Sequence, residues 1–184
     1  MSELPLPVPR TIALVGLMGA GKSSIGRRLA QRLKVPFTDA DTEIEAAAGA
    51  TIEEIFERHG EAAFREGERR VIARLLEGPA QVLATGGGAF MDPATRALLR
   101  ERAITIWLRA DVELLLPRVI RRNNRPLLKV GDPKTVLERL MQERYPIYAE
   151  ADLTVETLDG PPEVTLERIM AALAAHYGVA EVAP

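Results

Sequence analysis

The sequence of 184 residues contains no cysteine and only two histidines. The absence of cysteine excludes disulfide bonds and thiolate metal sites. His59 and His176 are too few and too far apart to predict a zinc site. No stretch approaches the roughly 18 consecutive apolar residues of a membrane-spanning helix. The N-terminal segment also lacks the basic start and apolar core of a secretory signal. We therefore expect a cytoplasmic protein that does not bind a membrane.

Excess charge of either sign is also lacking. Lysine and arginine number 24 and aspartate and glutamate 26, so the formal net charge is −2 and no general nucleic-acid surface is expected. Hydrophobic residues at 47% and charged residues at 27% are typical of a globular protein. The length fits one sizeable core. We predict a monomer with a single domain over 1–184 that binds no nucleic acid, with flexible ends at 1–10 and 178–184.

Short strand-like segments alternate with helical ones along the chain. Strands are predicted over 11–15, 35–38, 81–85, 103–108 and 153–155. Helices are predicted from 22 to 33, over 42–48, 52–59, 61–76 and 93–102, from 111 onward, and over 134–148 and 162–177. Asp41 is expected to be the N-cap of the helix over 42–48. This alternation predicts an α/β fold with a mainly parallel sheet and ligand sites at the carboxyl ends of its strands.

The clearest motif, Gly16-Leu-Met-Gly-Ala-Gly-Lys-Ser23, follows the first predicted strand and fits G-x-x-x-x-G-K-[ST]. In such a loop the backbone N–H groups and the following helix N-terminus bind phosphates. Lys22 would contact the outer phosphates, and the Ser23 hydroxyl would ligate Mg²⁺. The expected nucleotide contacts come from Gly19, Ala20, Gly21, Lys22, Ser23 and Ser24. A plain glycine-rich turn is the alternative, but the strand and helix that the motif requires are both predicted. A guanine-reading Asn-Lys-x-Asp is absent, and the chain length favours a small kinase over a large ATPase.

Two carboxylates, Asp39 and Asp41, follow the second predicted strand. Residues two apart in an extended segment point the same way. One carboxylate could hold hydrated Mg²⁺, and the other could bind an acceptor hydroxyl and take its proton. The alternative is structural, with Asp41 capping a helix and Asp39 in a turn. The pair alone does not decide between these interpretations.

Further candidates lie at another strand end and on the helices. Gly86, Gly87 and Gly88 follow the strand over 81–85, where three glycines indicate close approach of some group to the backbone rather than a loose turn. Arg65 and Arg144 could each form a forked contact with a carboxylate. Taken singly, each is better interpreted as a solvated helix arginine, since most arginines are surface residues.

The segment from Arg118 to Pro126 is rich in arginine. Its Asn-Asn-Arg-Pro turn suggests a mobile lid, from which Arg125 could reach a transferring phosphoryl group. A solvated basic face or an RNA-binding patch is the alternative. The lack of interleaved aromatic residues gives little support to base stacking.

Together these segments resemble the shikimate kinase family over roughly residues 10–176. The matching stretches, in chain order, are GLMGAGKSS, FTDADTEIE, FRE at 64–66, LATGGGAF, RPLL at 125–128 and ERYPIYAEAD. The phosphate loop is common to many families, whereas the ordered series is far more specific. The resemblance implies the fold of the P-loop nucleoside monophosphate kinases, a five-stranded parallel sheet flanked by helices with a lid. It also implies ATP-dependent, Mg²⁺-dependent phosphorylation of the 3-hydroxyl of shikimate, on the route to chorismate and aromatic amino acids.

By position, the resemblance implies roles for the phosphate-donor end of the site. Lys22 contacts the β- and γ-phosphates, Ser23 ligates Mg²⁺ and Asp39 holds the ion through water. Arg125, in a lid over about 118–133, approaches the ATP phosphates. Arg118 has the spacing of an arginine that stacks on adenine. The stretch 158–162 lacks the arginine that the family often places before a proline. Its expected contacts to adenine are therefore made by the backbone.

At the acceptor end, the substrate-binding region is about 39–68. The resemblance implies that Asp41 binds shikimate hydroxyls and acts as the base or only orients the hydroxyl. Arg65 and Arg144 would bind the carboxylate, and Gly87 and Gly88 would offer backbone groups. Lys22, Asp41 and Arg125 are thus the expected catalytic groups. A gluconate kinase, a nucleoside monophosphate kinase and a nucleotide-binding sensor without turnover are the competing hypotheses. Tyr145, between Arg144 and the following proline, is expected to matter little.

Overall fold

A computed structural model describes residues 6–122 and 131–179. The strands are β1 (Thr11–Val15), β2 (Phe37–Asp39), β3 (Val82–Ala84), β4 (Ala103–Arg109) and β5 (Leu153–Glu156). The helices are α1 (Lys22–Leu33), α2 (Ala40–Ala48), α3 (Ile52–Glu77), α4 (Pro93–Arg102), α5 (Val112–Ile120), α6 (Pro133–Tyr148) and α7 (Pro162–Tyr177), with a 3₁₀ turn at Ala89–Met91. Strands and helices alternate as the sequence predicts.

The five strands form one parallel sheet in the order β2-β3-β1-β4-β5. Every residue of the central strand β1 is buried because helices cover both faces. The chain moves to one side of β1 for β2 and β3 and to the other for β4 and β5. The carboxyl ends on either side of β1 therefore border a crevice, which is where open α/β sheets bind ligands. The predicted fold class is confirmed.

Local differences from the predictions have physical causes. Asp39, rather than Asp41, is the N-cap of α2, and its carboxylate accepts hydrogen bonds from the N–H groups of Asp41 and Thr42. The helix therefore begins two residues earlier than expected. The two helices predicted over 52–59 and 61–76 are joined within α3, where Gly60 interrupts the helix at φ 81° and ψ 175°.

The main core packs around the sheet, and a smaller cluster lies between α2 and α3. The smaller cluster consists of Ile44, Ile55, Phe64 and Val71. Leu6, in the lead-in predicted to be flexible, is 4% exposed and packs within the main core. Residues 123–130, which are half of the predicted lid and include Arg125, lie outside the described residues. Over the two described ranges no helix combines the length and the apolar composition needed to span a membrane.

Candidate active site

The phosphate loop connects β1 to α1 at the centre of the sheet edge. Gly16 has φ 144°, and a Cβ at this position would lie 2.8 Å from the Leu108 carbonyl oxygen, so a side chain is excluded. Gly21 is left-handed at φ 95° and makes no side-chain cap for α1. The first turn of α1 also contains no acidic residue. The helix itself therefore places no acidic side chain against the positive end of its dipole, which faces the loop and suits phosphate.

Lys22 is 9% exposed, and its Nζ donates to the carbonyl oxygens of Gly16 at 2.6 Å and Leu17 at 2.9 Å. These contacts hold the ammonium group within the loop that precedes it. A phosphate entering the loop would meet a cation already desolvated and directed at it. The N–H of Ala20 donates to the Leu17 carbonyl oxygen at 3.2 Å and its side chain is buried, so its contact with the nucleotide stays a prediction.

The two predicted metal ligands are in direct contact. Ser23 Oγ, in the first turn of α1, donates to Asp39 Oδ2, at the end of β2, at 2.6 Å. A hydroxyl and a carboxylate oxygen are hard donors of the kind Mg²⁺ prefers, and two protein ligands are typical where phosphates and water complete the shell. The residues therefore fit this ion. No cluster of three or more acidic or histidine side chains that could hold a metal by itself occurs in the part of the chain that the structure describes.

A cavity of about 380 Å³ opens beside the phosphate loop. Of the predicted site residues, those that line it are Gly19, Gly21, Lys22, Ser23, Ser24, Asp39, Asp41, Gly87 and Arg118. Arg118 Nη1 donates to the Gly19 carbonyl oxygen at 3.0 Å, which ties α5 to the loop. The wall also includes Arg121, Arg122 and Thr157, which sequence reasoning did not single out. The arginine run after Arg118 could have identified Arg121 and Arg122, and the position directly after β5 could have identified Thr157.

The three glycines after β3 each face a different predicted acceptor residue. A Cβ on Gly86 would lie 2.8 Å from Asp41 Oδ1, and one on Gly87 would lie 3.5 Å from Arg144 Nη1. A Cβ on Gly88 would lie 2.1 Å from Arg65 Nη2. The missing side chains of Gly86 and Gly88 therefore make room for the Asp41 carboxylate and the Arg65 guanidinium, whereas a Cβ on Gly87 would be in ordinary contact with Arg144. We refer to Gly86–Gly88 as the glycine turn.

The guanidinium of Arg65 is held in place by neighbouring side chains of α3, the helix that carries it. Its Nη1 donates to Glu68 Oε1 at 2.8 Å, and its guanidinium lies 5.1 Å from the centre of the Phe64 ring. Glu61 Oε1 is 3.7 Å from Nη2 on the exposed side. The guanidinium thus keeps a defined position although its side chain is 18% exposed.

Glu68 was not among the predicted site residues. It is 0% exposed, and its Oε2 has no hydrogen-bond partner within the described ranges. Burial raises the pKa of its carboxyl, while the Arg65 guanidinium opposes that rise. The spacing of three residues from Arg65 on one helix face was the signal that could have identified it.

Arg144 comes from α6, whereas Arg65 comes from α3. Arg144 is 8% exposed, which is unusual for arginine, and its guanidinium lies beside Tyr148, one helical turn later, where it opposes the rise of the Tyr148 pKa. Tyr145, which was expected to matter little, donates a hydrogen bond from its hydroxyl to the Ala110 carbonyl oxygen. Its ring packs edge-on against Trp107, with the ring centres 4.9 Å apart. The site therefore combines the phosphate loop with an acceptor corner formed by Asp41, the Arg65–Glu68 ion pair and the buried Arg144 around the glycine turn.

Comparison with known proteins agrees with this arrangement. The family model described as shikimate kinase matches residues 18–174. A shikimate kinase from Paramagnetospirillum magneticum is 61% identical over 166 residues, which is 90% of this chain and 85% of that protein. One from Caulobacter vibrioides is 62% identical over 164 residues, 89% of this chain and 82% of that protein. The solved structure of shikimate kinase from Acinetobacter baumannii in complex with shikimate has a TM-score of 0.87 and 43% identity, covering 91% of this chain and 94% of that one.

Proposed function

Since this chain belongs to the shikimate kinase family, we propose that it transfers the γ-phosphoryl group of ATP to the 3-hydroxyl of shikimate. One observation carries the proposal. The glycine turn gathers Asp41, Arg65 and Arg144 next to the cavity that the phosphate loop forms. A small acceptor with one carboxylate and several hydroxyls matches two guanidinium groups and one carboxylate.

On the donor side, we assign the phosphates to the loop and to Lys22, with Gly19, Gly21 and Ser24 beside them. Mg²⁺, held by Ser23 and through water by Asp39, would neutralise charge on the phosphates. Lys22 would exchange its two carbonyl partners for phosphate oxygens, whose negative charge makes the stronger hydrogen bonds.

On the acceptor side, Arg65 and Arg144 would fix the carboxylate and so orient the ring. Asp41 would accept a hydrogen bond from the 3-hydroxyl, whose oxygen bonds to the γ-phosphorus as the bond from that phosphorus to the β-phosphate oxygen breaks. The hydroxyl proton passes to Asp41 or to water. Phosphoryl transfer depends mainly on such positioning and on charge neutralisation.

Arg125 and Arg118 complete the proposed assignment. Arg125, outside the described residues, would stabilise the charge on the transferring group. Arg118 lines the cavity from α5 and would contact the nucleotide. Thr157 and Leu158 line the same cavity, which supports adenine binding by the loop after β5. A cytoplasmic monomer that binds neither nucleic acid nor membrane stays a prediction.

The direct test is ATP consumption by the purified protein with shikimate, quinate, gluconate and nucleoside monophosphates in parallel. We expect turnover with shikimate and formation of shikimate 3-phosphate, with the other acceptors at least 100-fold less efficient because they lack the matched carboxylate and hydroxyl positions. Preference for gluconate would favour the sugar-kinase alternative. Tight ATP binding without product from any acceptor would favour the sensor.

The acceptor assignment has its own test in Arg65→Ala and Arg144→Ala. Each variant removes a charged partner of the carboxylate, so we expect the shikimate KM to rise about 10- to 100-fold while the ATP KM stays within twofold. An unchanged shikimate KM in both variants would refute the assignment.

A further inference from the structure

Tyr148 lies behind the glycine turn and belongs to neither end of the proposed site. Its side chain is 0% exposed, and its hydroxyl donates a hydrogen bond to the Gly87 carbonyl oxygen. The guanidinium of Arg144, one turn earlier in α6, lies beside the same hydroxyl and opposes the rise of its pKa, and Arg144 Nη1 is 3.5 Å from the Cβ position of Gly87. A guanidinium only donates, so the phenol oxygen faces Arg144 as an acceptor while its own proton is directed at the Gly87 carbonyl oxygen. The buried Tyr148 hydroxyl therefore lies between the Arg144 side chain and the glycine turn.

The bond to Gly87 also fixes the next N–H group. A trans peptide is planar, so the Gly87 carbonyl and the Gly88 N–H point in opposite directions. With the carbonyl held by Tyr148, the Gly88 N–H points away from α6. No protein acceptor receives that N–H within residues 6–122 and 131–179. Glycine peptides rotate more freely than others, so an external bond matters more here.

The aromatic ring of Tyr148 has little freedom to move its hydroxyl elsewhere. Ring centres of Trp107 and Phe90 lie 5.8 and 6.5 Å from its own. Burial raises the pKa of Tyr148 to about 12, although Arg144 and Arg65 oppose the rise. The phenol therefore keeps its proton, and can donate it to Gly87, throughout the neutral range.

We propose that Tyr148 is a positioning residue for the acceptor, coupling the Arg144 guanidinium to the Gly87–Gly88 peptide so that both reach shikimate in one fixed geometry. This inference rests on the proposed function, because shikimate is the molecule that the two groups would hold. Tyr148 itself touches no substrate atom. Its loss should therefore weaken acceptor binding without removing a group from the reaction.

The test compares Tyr148→Phe with Tyr145→Phe. Both changes delete a phenolic hydroxyl from α6 that donates to a backbone carbonyl, and neither adds volume. Tyr145 bonds to Ala110, away from the glycine turn, so it is a matched control for the general cost of losing such a bond. We expect both variants to show a similar fall in Tm. Only Tyr148→Phe should raise the shikimate KM, by about tenfold. The ATP KM should stay within twofold and kcat at saturating shikimate within threefold.

Coupling to Arg144 is measured in a double-mutant cycle with Arg144→Lys, which removes the planar fork. We expect Tyr148→Phe to raise the shikimate KM less than threefold in the Arg144→Lys background. A tenfold rise in both backgrounds would show independent effects and overturn the coupling. A shikimate KM for Tyr148→Phe within twofold of wild type would overturn the proposal. An equal rise of the shikimate KM in Tyr145→Phe would overturn it too, because the Tyr148 hydroxyl would then contribute only to stability.

A measurement on the wild-type protein does not depend on the folding of any variant. Shikimate added in the presence of ADP should shift the amide resonance of Gly88 downfield as its N–H finds an acceptor, whereas ADP alone should not. An unmoved Gly88 resonance at saturating shikimate would overturn the proposal. Because wild-type turnover is measured in the same series, failure of the proposed function appears as lack of shikimate phosphorylation, and failure of this inference appears in an active enzyme.

Discussion

Replacing Gly88 with alanine should separate acceptor binding from stability. Gly88 has φ −99° and ψ −4°, a conformation that alanine adopts without strain. The nearest obstacle is Arg65, since a new Cβ would lie 2.1 Å from Nη2, 2.6 Å from Cζ and 2.8 Å from Nη1. These atoms are the far end of a flexible side chain. The backbone therefore has no need to move, and the guanidinium does.

The size of the effect follows from the displacement. Arg65 has to retreat by roughly 1.3 Å to regain an ordinary van der Waals distance, and a misplacement of about 1 Å can cost on the order of 100-fold in catalysis. A charge-assisted hydrogen bond contributes about 1.5–3 kcal/mol. We therefore expect kcat/KM for shikimate to fall about 10- to 100-fold, chiefly through KM. Because the Arg65 side chain is already 18% exposed and can move outward, the free energy of unfolding should fall by less than about 2 kcal/mol.

The assay measures steady-state kinetics with shikimate and ATP varied separately, together with thermal melting. Gly67→Ala is the matched control, because a Cβ there meets nothing within 4 Å and the residue lies in the same helix as Arg65. It should leave KM unchanged and increase stability by roughly 0.5–1 kcal/mol. A shikimate KM within twofold of wild type in Gly88→Ala would refute the reasoning. Loss of the fold would refute it equally, since it would mean that the clash reaches more than one side chain.

Three further results are expected. Arg125→Ala should lower kcat about 10²- to 10³-fold with little change in KM, because its contact strengthens as charge moves in the transition state; full kcat would remove Arg125 from the reaction. Asp39→Asn should raise the Mg²⁺ concentration for half-maximal activity about tenfold or more, because Ser23 loses its charged partner, and an unchanged Mg²⁺ titration would contradict this. Hydrogen bonds from Arg69 and from Thr95, in the first turn of α4, lower the pKa of Asp92, the N-cap of that helix, to about 2, below its unfolded value of about 3.9. Its stabilisation is therefore present above pH 4 and is lost as the pH falls through 2. The Tm difference between wild type and Asp92→Asn should shrink accordingly, and a constant difference down to pH 2 would argue against this pair.

The sequence predicted the element order because each strand is a short apolar segment bounded by glycine, proline or charge. It predicted the phosphate loop because that motif is local, with its whole function within eight residues. Its error at the N-cap of α2 has a specific cause. Asp39 and Asp41 both satisfy the N-cap preference, and which one caps depends on β2 ending at Asp39 through its pairing with β3.

The acceptor corner was harder to predict because its contacts join segments far apart in the chain. Three consecutive glycines indicate a close approach, but not that Gly86, Gly87 and Gly88 would face three different side chains. The ion pair of Arg65 with Glu68 lay within reach of helix periodicity. The contact of Tyr148 could not be predicted from helix periodicity, because its partner Gly87 is 61 residues away in the chain and buried tyrosines usually indicate core packing.

The donor and acceptor ends of the site are connected through two paired strands, β1 and β3. β1 leads into the phosphate loop and β3 into the glycine turn, and the two strands are paired with Leu14 opposite Ala84. Thr85 extends that pairing by one residue, because its N–H and Oγ1 both bond to the Leu14 carbonyl oxygen, at 3.2 and 2.8 Å. The two loops therefore leave the sheet from adjacent strands held in register. Any slip of β3 against β1 would displace the acceptor relative to the γ-phosphate, which explains why a buried threonine hydroxyl, rather than an apolar side chain, suits this position.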